Sequence, residues 1–274
     1  MTSALKGGTS PKVAEIQDAG AECARYSKLL QGAGFRHGFS LRGGGESVGE
    51  FRSLNLGRAI GDDQKSVRAN HERFAKAVGY GPEELFEVSQ VHGAAVRAIE
   101  PGDEPRRVRT EQADAIVTDS AGVAVGVRTA DCVPLLIAEP RSGAVAAVHS
   151  GWRGTASGIL GQAIDALLAL SGAMPSDLLV AIGPHIRVQA FEVGHDVAVQ
   201  IQALAPDKVV IHEAEPRPFA CLTTVIRHQL TEAGVKNERV EDVGGCTFDD
   251  SSSYFSYRRD GGQTGRHLAA IVAR

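Results

Sequence analysis

Three apolar runs crowd into the stretch from Val123 to Val148: Val123–Val127, Val133–Ala138 and Ala144–Val148. The chain between them is too short for crossover helices. Parallel neighbours need a connection of a dozen or more residues, so these runs must pair antiparallel or join a mixed sheet. A pure doubly wound sheet is thereby disfavoured. Leu85–Val91 and Ala115–Thr118 precede them as strands, and Leu178–Ile182, Val209–Ile211 and Leu268–Val272 follow. A further short strand is read after Gly34, where GFRHGFSLRGGGES runs into three glycines that allow a tight loop.

Helical periodicity interrupts this pattern. Asp62 and Asp63 can cap a helix in which Val67, Asn70/His71, Phe74 and Val78 share a face, with Gly79 at its end. A second helix is predicted at about Thr155–Leu170, where Ala156, Ile159, Leu160, Ala163, Ile164, Leu167 and Leu168 form one stripe. Two more are read near Asp196–Leu204 and Leu222–Ala233, the latter ending at Gly234. Strands and helices alternate irregularly, which gives an α+β (mixed α/β) class with central mixed β-sheets flanked by helices. The first 25 residues are polar and weakly periodic, so residues 1–25 are expected to be a flexible extension with at most a short helix. No repeat or linker divides the remaining chain, and 26–274 is read as a single domain.

Composition narrows the function. Basic residues number 29 and acidic ones 33, so 29 − 33 leaves −4 and no basic excess to hold a phosphate polymer. Nucleic acid is therefore not expected as a partner. No apolar run reaches the roughly 18 to 20 residues of a membrane span, and the N-terminus lacks a secretory apolar stretch, so a cytoplasmic protein is expected. The cysteines, Cys23, Cys132, Cys221 and Cys246, form no CxxC pair and suggest no disulfide framework.

Three predicted strand ends carry groups able to bind a metal or attack a substrate. They are Gln90-Val91-His92-Gly93, Thr129-Ala130-Asp131-Cys132-Val133-Pro134 and Val148-His149-Ser150-Gly151-Trp152-Arg153-Gly154. His92, Cys132 and His149 would make a three-ligand Zn²⁺ site with a fourth position for water or substrate. The same atoms also suit a Cys132 thiolate with a histidine base. The ordinary alternative is a core cysteine and two histidines bonded to carbonyls. His37, His71, His195, His212 and His228 are read as structural.

Two further segments suit anions. SGWRGT precedes the second helix, so its amides and Arg153 can receive a phosphate or carboxylate. Phe255-Ser256-Tyr257-Arg258-Arg259-Asp260 and Thr264-Gly265-Arg266 set guanidinium groups beside aromatic rings, a combination suited to a phosphorylated or heteroaromatic ligand.

The ordered series SLNLG…GDD…N, QVHG, ADAIVTD, TADCVPLLI, AVHSGWRGT, IGPHI…FEVG, GGCT and FSYRRDGGQTGR resembles one family from about Gly34 to the C-terminus. That family is the YfiH-type laccase-domain proteins, also described as purine nucleoside phosphorylases, polyphenol oxidases and peptidoglycan editing factors. The resemblance implies a mixed α/β fold similar to the catalytic domains of necrotizing-factor toxins. It implies zinc on His92, Cys132 and His149, with copper the alternative metal, and inorganic phosphate as co-substrate. The implied reactions are phosphorolysis of adenosine, inosine, guanosine and methylthioadenosine, with adenosine deamination at the same centre. Arg258, Arg259 and the Asn55 loop are expected to face the substrate, and Arg258, Arg259 and the helix start after Trp152, where Arg153 adds a charge, to hold the phosphate. The alternatives it carries are copper-dependent phenol oxidation and a cell-wall editing hydrolase using Cys132. Multicopper chemistry uses dense HxH and HCH spacings, and neither occurs in this chain. Many relatives have a histidine two residues after the NLG glycine, where this chain has Ala59.

Overall fold

The computed structural model describes residues 22–274. The extension expected over residues 1–25 lies outside the described residues up to position 21, and its last two positions form a strand instead. In chain order the strands are β1 (Ala24–Arg25), β2 (His37–Ser40), β3 (Leu85–Phe86), β4 (Val96–Ala98), β5 (Ala115–Thr118), β6 (Ala124–Thr129), β7 (Val133–Ala138), β8 (Val145–Ser150), β9 (Leu179–Ile182), β10 (Ile211–His212), β11 (Phe219–Ala220), β12 (Val240–Asp242) and β13 (His267–Val272). The helices are α1 (Lys28–Gly32), α2 (Gln64–Val78), α3 (Pro105–Val108), α4 (Trp152–Ala156), α5 (Ile159–Ser171), α6 (His195–Ala203) and α7 (Leu222–Glu232).

Two mixed sheets face each other. One runs β1-β2-β13-β6-β3, the other β12-β9-β7-β8-β5-β4, and β10 with β11 makes a separate pair. The short spacings before Val148 have the consequence expected of them, with a division between sheets. β6 pairs antiparallel with β13, whereas β7 and β8 pair antiparallel with each other. Residues 130–132 are therefore the whole crossing from the first sheet to the second. The segment from β3 to β4, which contains His92, is another such crossing.

Period-2 alternation sorts the side chains into layers. On β13, Ala269 and Ile271 meet Leu136, Ala138, Val145 and Ala147 of the other sheet, forming the core between the sheets. Leu268, Ala270 and Val272 point the opposite way, onto Phe74, Ala75 and Val78 of α2. The far face of the six-stranded sheet sends Val133, Leu135, Ile137, Ala146 and Val148 against α5 and α7. Helix, sheet, sheet and helix thus stack as four layers, and burying each large apolar side chain contributes about 1.5–3 kcal/mol.

Local sequence accounts for where the elements stop. The Asp63 carboxylate accepts the Ser66 amide at 2.9 Å and starts α2, and Gly79 ends it at φ 92°. The helix expected at about Thr155–Leu170 is two helices, because Gly158 takes φ 82° and separates α4 from α5. The strand expected over Leu85–Val91 ends after Phe86. Beyond it the Gln90 side chain replaces a backbone partner, accepting the Arg128 amide and donating to the Arg128 carbonyl, both at 2.7 Å. The predicted Val209–Ile211 strand lies at Ile211–His212. Short, half-buried β4 and β12, with sequences VRA and VED, carry no alternation long enough to read.

Candidate metal centre and substrate cavity

Both sheet crossings and the end of β8 open on one edge of the stacked sheets, and there His92, Cys132 and His149 meet. One ligand atom from each lies within 4.8 Å of the others. Cys132 Sγ is 3.9 Å from His92 Nε2, and the two imidazole rings pack edge to face with centroids 4.8 Å apart. His149 is buried, Cys132 half-buried and His92 exposed.

Asp114, buried at the start of β5, organises this geometry. Its Oδ1 accepts His149 Nδ1 at 2.8 Å and the His92 amide at 2.9 Å. Its Oδ2 accepts the Gly93 amide at 2.7 Å and the Val91 amide at 3.2 Å. One carboxylate therefore holds the loop that presents His92 and also fixes the tautomer of His149, leaving Nε2 as the ligand atom. Burial alone would raise the Asp114 carboxyl, but the His149 and amide hydrogen bonds prevail and hold it below the usual range.

Asp131 does the same for Cys132. Its side chain accepts the Thr247 hydroxyl and the Arg258 amide, each at 2.6 Å, while its carbonyl accepts the Ile186 amide at 3.0 Å. His92 and Asp131 both have left-handed backbones, with φ 61° and 88°, a conformation that costs a non-glycine residue about 1–3 kcal/mol. These hydrogen bonds stabilise it on both sides of the centre.

Charge follows geometry. Burial would raise the Cys132 thiol, yet the adjoining His149 and His92 bring it well below its ordinary value. Burial would lower His149, but Cys132 and Asp114 push it up. The two shifts have one cause, since each group favours the charged form of the other.

The donor set fits a divalent ion. In a tetrahedral zinc site, N and S ligand atoms stand roughly 3.3–3.6 Å apart, so small side-chain adjustments close the observed triangle. Gly151 keeps the space narrow: a Cβ there would lie 3.0 Å from Cys132 Sγ and 3.1 Å from His92 Cδ2.

A cavity of about 580 Å³ opens from this centre. Arg128, Phe191, Tyr257, Arg258 and Arg266 line it, together with apolar Ala59 and Ile60. Arg258 is at the cavity as expected, over the Phe191 ring at 5.6 Å with its Nη1 donating to the Glu192 carbonyl.

The other three expected substrate contacts lie elsewhere. Arg259 is spent on structure: it donates to the Thr247, Phe248 and Tyr254 carbonyls and pairs with Asp260. Arg153 stacks on Trp152 at 4.5 Å, and α4 is a single short turn of 5 residues. Asn55 is fully buried, its Oδ1 accepting the Gly57 and Arg266 amides. Arg266, named with the Thr264-Gly265-Arg266 segment, is on the cavity wall, whereas Asp114, Asp131 and Arg128 carry no individual signal in the sequence. Asp114 and Asp131 stand in ADAIVTD and TADC, but only three dimensions show which amides they hold.

The same architecture and segments recur in known proteins. The model of the multi-copper polyphenol oxidoreductase laccase family matches residues 36–274. The chain belongs to that family. A relative from Deinococcus radiodurans, named purine nucleoside phosphorylase, is 38% identical over 236 residues, 86% of this chain and 88% of that protein. Another, purine nucleoside phosphorylase YlmD of Geobacillus stearothermophilus, is 36% identical over 250 residues, 88% of this chain and 91% of that one. The crystal structure of that YlmD has a TM-score of 0.84 at 34% identity, covering 90% of this chain and 94% of its own. Bacillus licheniformis YfiH has a TM-score of 0.86 at 27% identity, covering 92% and 97%. The mixed α/β fold of this laccase-family chain is therefore that of YlmD and YfiH. Among its described residues no helix is long and apolar enough to cross a membrane.

Proposed function

We propose that this laccase-family chain is a zinc-dependent purine nucleoside phosphorylase acting on adenosine, inosine, guanosine and methylthioadenosine, with adenosine deamination at the same centre. The convergence of two imidazoles and a thiolate on a nucleoside-sized cavity carries this reading, and the names of its relatives support it. Residues 26–274 act as one catalytic domain.

His92, Cys132 and His149 would hold the ion. Bound zinc supplies Lewis acidity and a water of lowered pKa, which is the chemistry deamination of a purine requires. Asp114 keeps the His149 Nδ1 proton in place, so that Nε2 faces the centre in every turnover. Phe191 and Tyr257, on the cavity wall, would pack against the base, and Arg258 beside them would donate to it or to the sugar. The half-buried position of Cys132 limits water at the reacting end, which strengthens each polar contact there.

The test combines elemental analysis with turnover. The purified protein should contain about one zinc per chain, and with adenosine and phosphate should release adenine and, separately, ammonia. Cys132→Ala should lose the metal and both products. No base and no ammonia from the zinc-loaded protein, with Cys132→Ala behaving identically, would end the proposal. Copper content and phenol oxidation, measured alongside, examine the chemistry in the family's description. A muropeptide screen examines the editing hydrolase.

A further inference from the structure

Arg128 and Arg266 meet across two adjacent strands. In the β6–β13 ladder Arg128 is opposite Leu268 and Thr129 opposite His267, so Arg266 is the diagonal neighbour of Arg128. Leu268, Ala270 and Ala124 place the even-numbered positions of both strands on the α2 face. The two guanidinium groups therefore leave the sheet on the same side, from Cβ atoms about 7–8 Å apart. Both line the cavity.

Arg266 is not neutralised there as a buried arginine ordinarily is, and Arg128 is neutralised only in part. Arg266 has no carboxylate within ion-pair distance among the described residues. Its Nη1 donates to the Thr264 and Gly265 carbonyls, which leaves Nε and Nη2 without an acceptor among the described residues. Arg128 approaches the buried Glu87 at 3.3 Å and donates from Nη2 to the Val88 carbonyl, leaving Nη1 unengaged among the described residues. Glu87 is shared with Arg58 and Arg109, at 3.0 and 3.6 Å, so one negative charge faces three positive ones. Asp131, the carboxylate on the cavity wall, accepts the Thr247 hydroxyl and the Arg258 amide and makes no ion pair with either arginine, acting on Arg266 only through space. The result is a cationic wall with unfilled donors.

The surrounding residues hold Arg266 in place. Its amide donates to Asn55 Oδ1 at 2.9 Å, and its guanidinium lies over the Tyr257 ring at 5.4 Å. Gly57 leaves room for its stem, since a Cβ there would come within 2.9 Å of Arg266 Cγ. Positioned guanidinium forks with free donors match the oxygens of a tetrahedral oxyanion.

We propose that Arg128 and Arg266 form the subsite that takes the inorganic phosphate co-substrate, with Asn55 positioning Arg266 from behind. This inference rests on the phosphorolysis reading and moves the phosphate away from Arg258, Arg259, Arg153 and the start of α4. In the reaction a phosphate oxygen bonds to the sugar C1′, the C1′–N9 bond breaks, and its electron pair leaves with the base. Two cations on the phosphate fix which face of the sugar it approaches.

The experiment titrates the zinc-loaded full-length chain with inorganic phosphate by calorimetry, with and without free hypoxanthine, and measures inosine turnover. Arg266→Met should weaken phosphate binding and raise its KM roughly ten- to hundredfold, the usual loss for charge-assisted hydrogen bonds. The inosine KM should stay within about threefold and the zinc content unchanged, and Arg266→Lys should recover part of the loss. Wild-type protein that binds no phosphate in either titration, or Arg266→Met with unaltered phosphate affinity, overturns the proposal. So does Arg266-dependent binding confined to a nucleoside 5′-monophosphate. Arg266-dependent phosphate binding in a protein that releases no base supports the subsite and sinks phosphorolysis. Phosphorolysis that proceeds with phosphate affinity indifferent to Arg266 does the reverse.

Discussion

Asp114 touches no cavity, yet four hydrogen bonds make it the residue on which the candidate centre depends. Outer partners of metal-binding histidines typically contribute 10- to 100-fold in affinity. Asp114→Asn can still accept the Gly93 and Val91 amides through its carbonyl, but its NH2 group then faces the His92 amide and cannot accept the His149 proton. Zinc affinity, measured by competition with a chromophoric chelator, should therefore fall by roughly one to two orders of magnitude. An unchanged affinity would show that His149 orients itself unaided. Asn55 has a comparable role on the opposite wall. Fully buried, it bonds the amides of Gly57 and Arg266 and donates to Asp62 at 2.8 Å. Asn55→Ala leaves those groups unpaired and should destabilise the fold by about 1–3 kcal/mol in urea unfolding. A substrate-contact role alone would leave the unfolding midpoint where it is. The side chain reads as a substrate contact in a linear motif because a buried polar residue in a loop gives the same signal whether it faces ligand or backbone.

At the level of elements, the strand ends were legible because the chemistry falls where alternation stops. The sequence pattern places Ala115–Thr118 and Val133–Ala138 at their observed bounds, and the positions flanking them are Asp114 and Cys132. What could not be read was which sheet each strand enters. β6 and β7 are separated by three residues, a spacing that suggests a hairpin, yet they belong to different sheets and that crossing carries Cys132. The α4 turn was missed for a related reason. Its apolar stripe continues into α5, and only the left-handed Gly158 reveals the break. The start of α4 makes a prediction of its own. Gly151 has an unstrained φ of −76°, so alanine there is tolerated by the backbone and opposed only by Cys132 Sγ and His92 Cδ2. Gly151→Ala should push the two ligands apart, reducing zinc stoichiometry while shifting the thermal midpoint by no more than a few degrees. A variant that keeps full zinc would show that the ligands adapt to the added methyl group.

Across the whole molecule, four histidines serve the fold and not the cavity, and together they set its acid stability. His37, His71 and His185 are held down to about 4 and His267 to about 3, in each case chiefly by burial. All four are buried and hydrogen-bonded: His71 Nε2 to the Leu56 carbonyl, for example, and His267 Nε2 from the Phe255 amide. An unfolded chain protonates such rings near pH 6.5, so below that value the unfolded state binds more protons than the native one. Stability is then fully present above pH 6.5 and is lost as the pH falls toward 4, by the order of 2–3 kcal/mol per ring. His149 has the opposite sign, since Cys132 and Asp114 outweigh its burial, but one ring does not offset four. Glu87, held at about 2 by its arginines against the effect of burial, adds a separate loss below its ordinary value near 4.5. Against a total stability of about 5–15 kcal/mol, a loss of that order is a large fraction of what keeps the chain folded. Thermal unfolding of chelator-treated protein, which removes any effect of metal release, should show a midpoint falling steeply between pH 6.5 and 4. A midpoint that stays level down to pH 4 would mean that these rings bind protons equally well in the folded chain, and that their burial does not govern the transition.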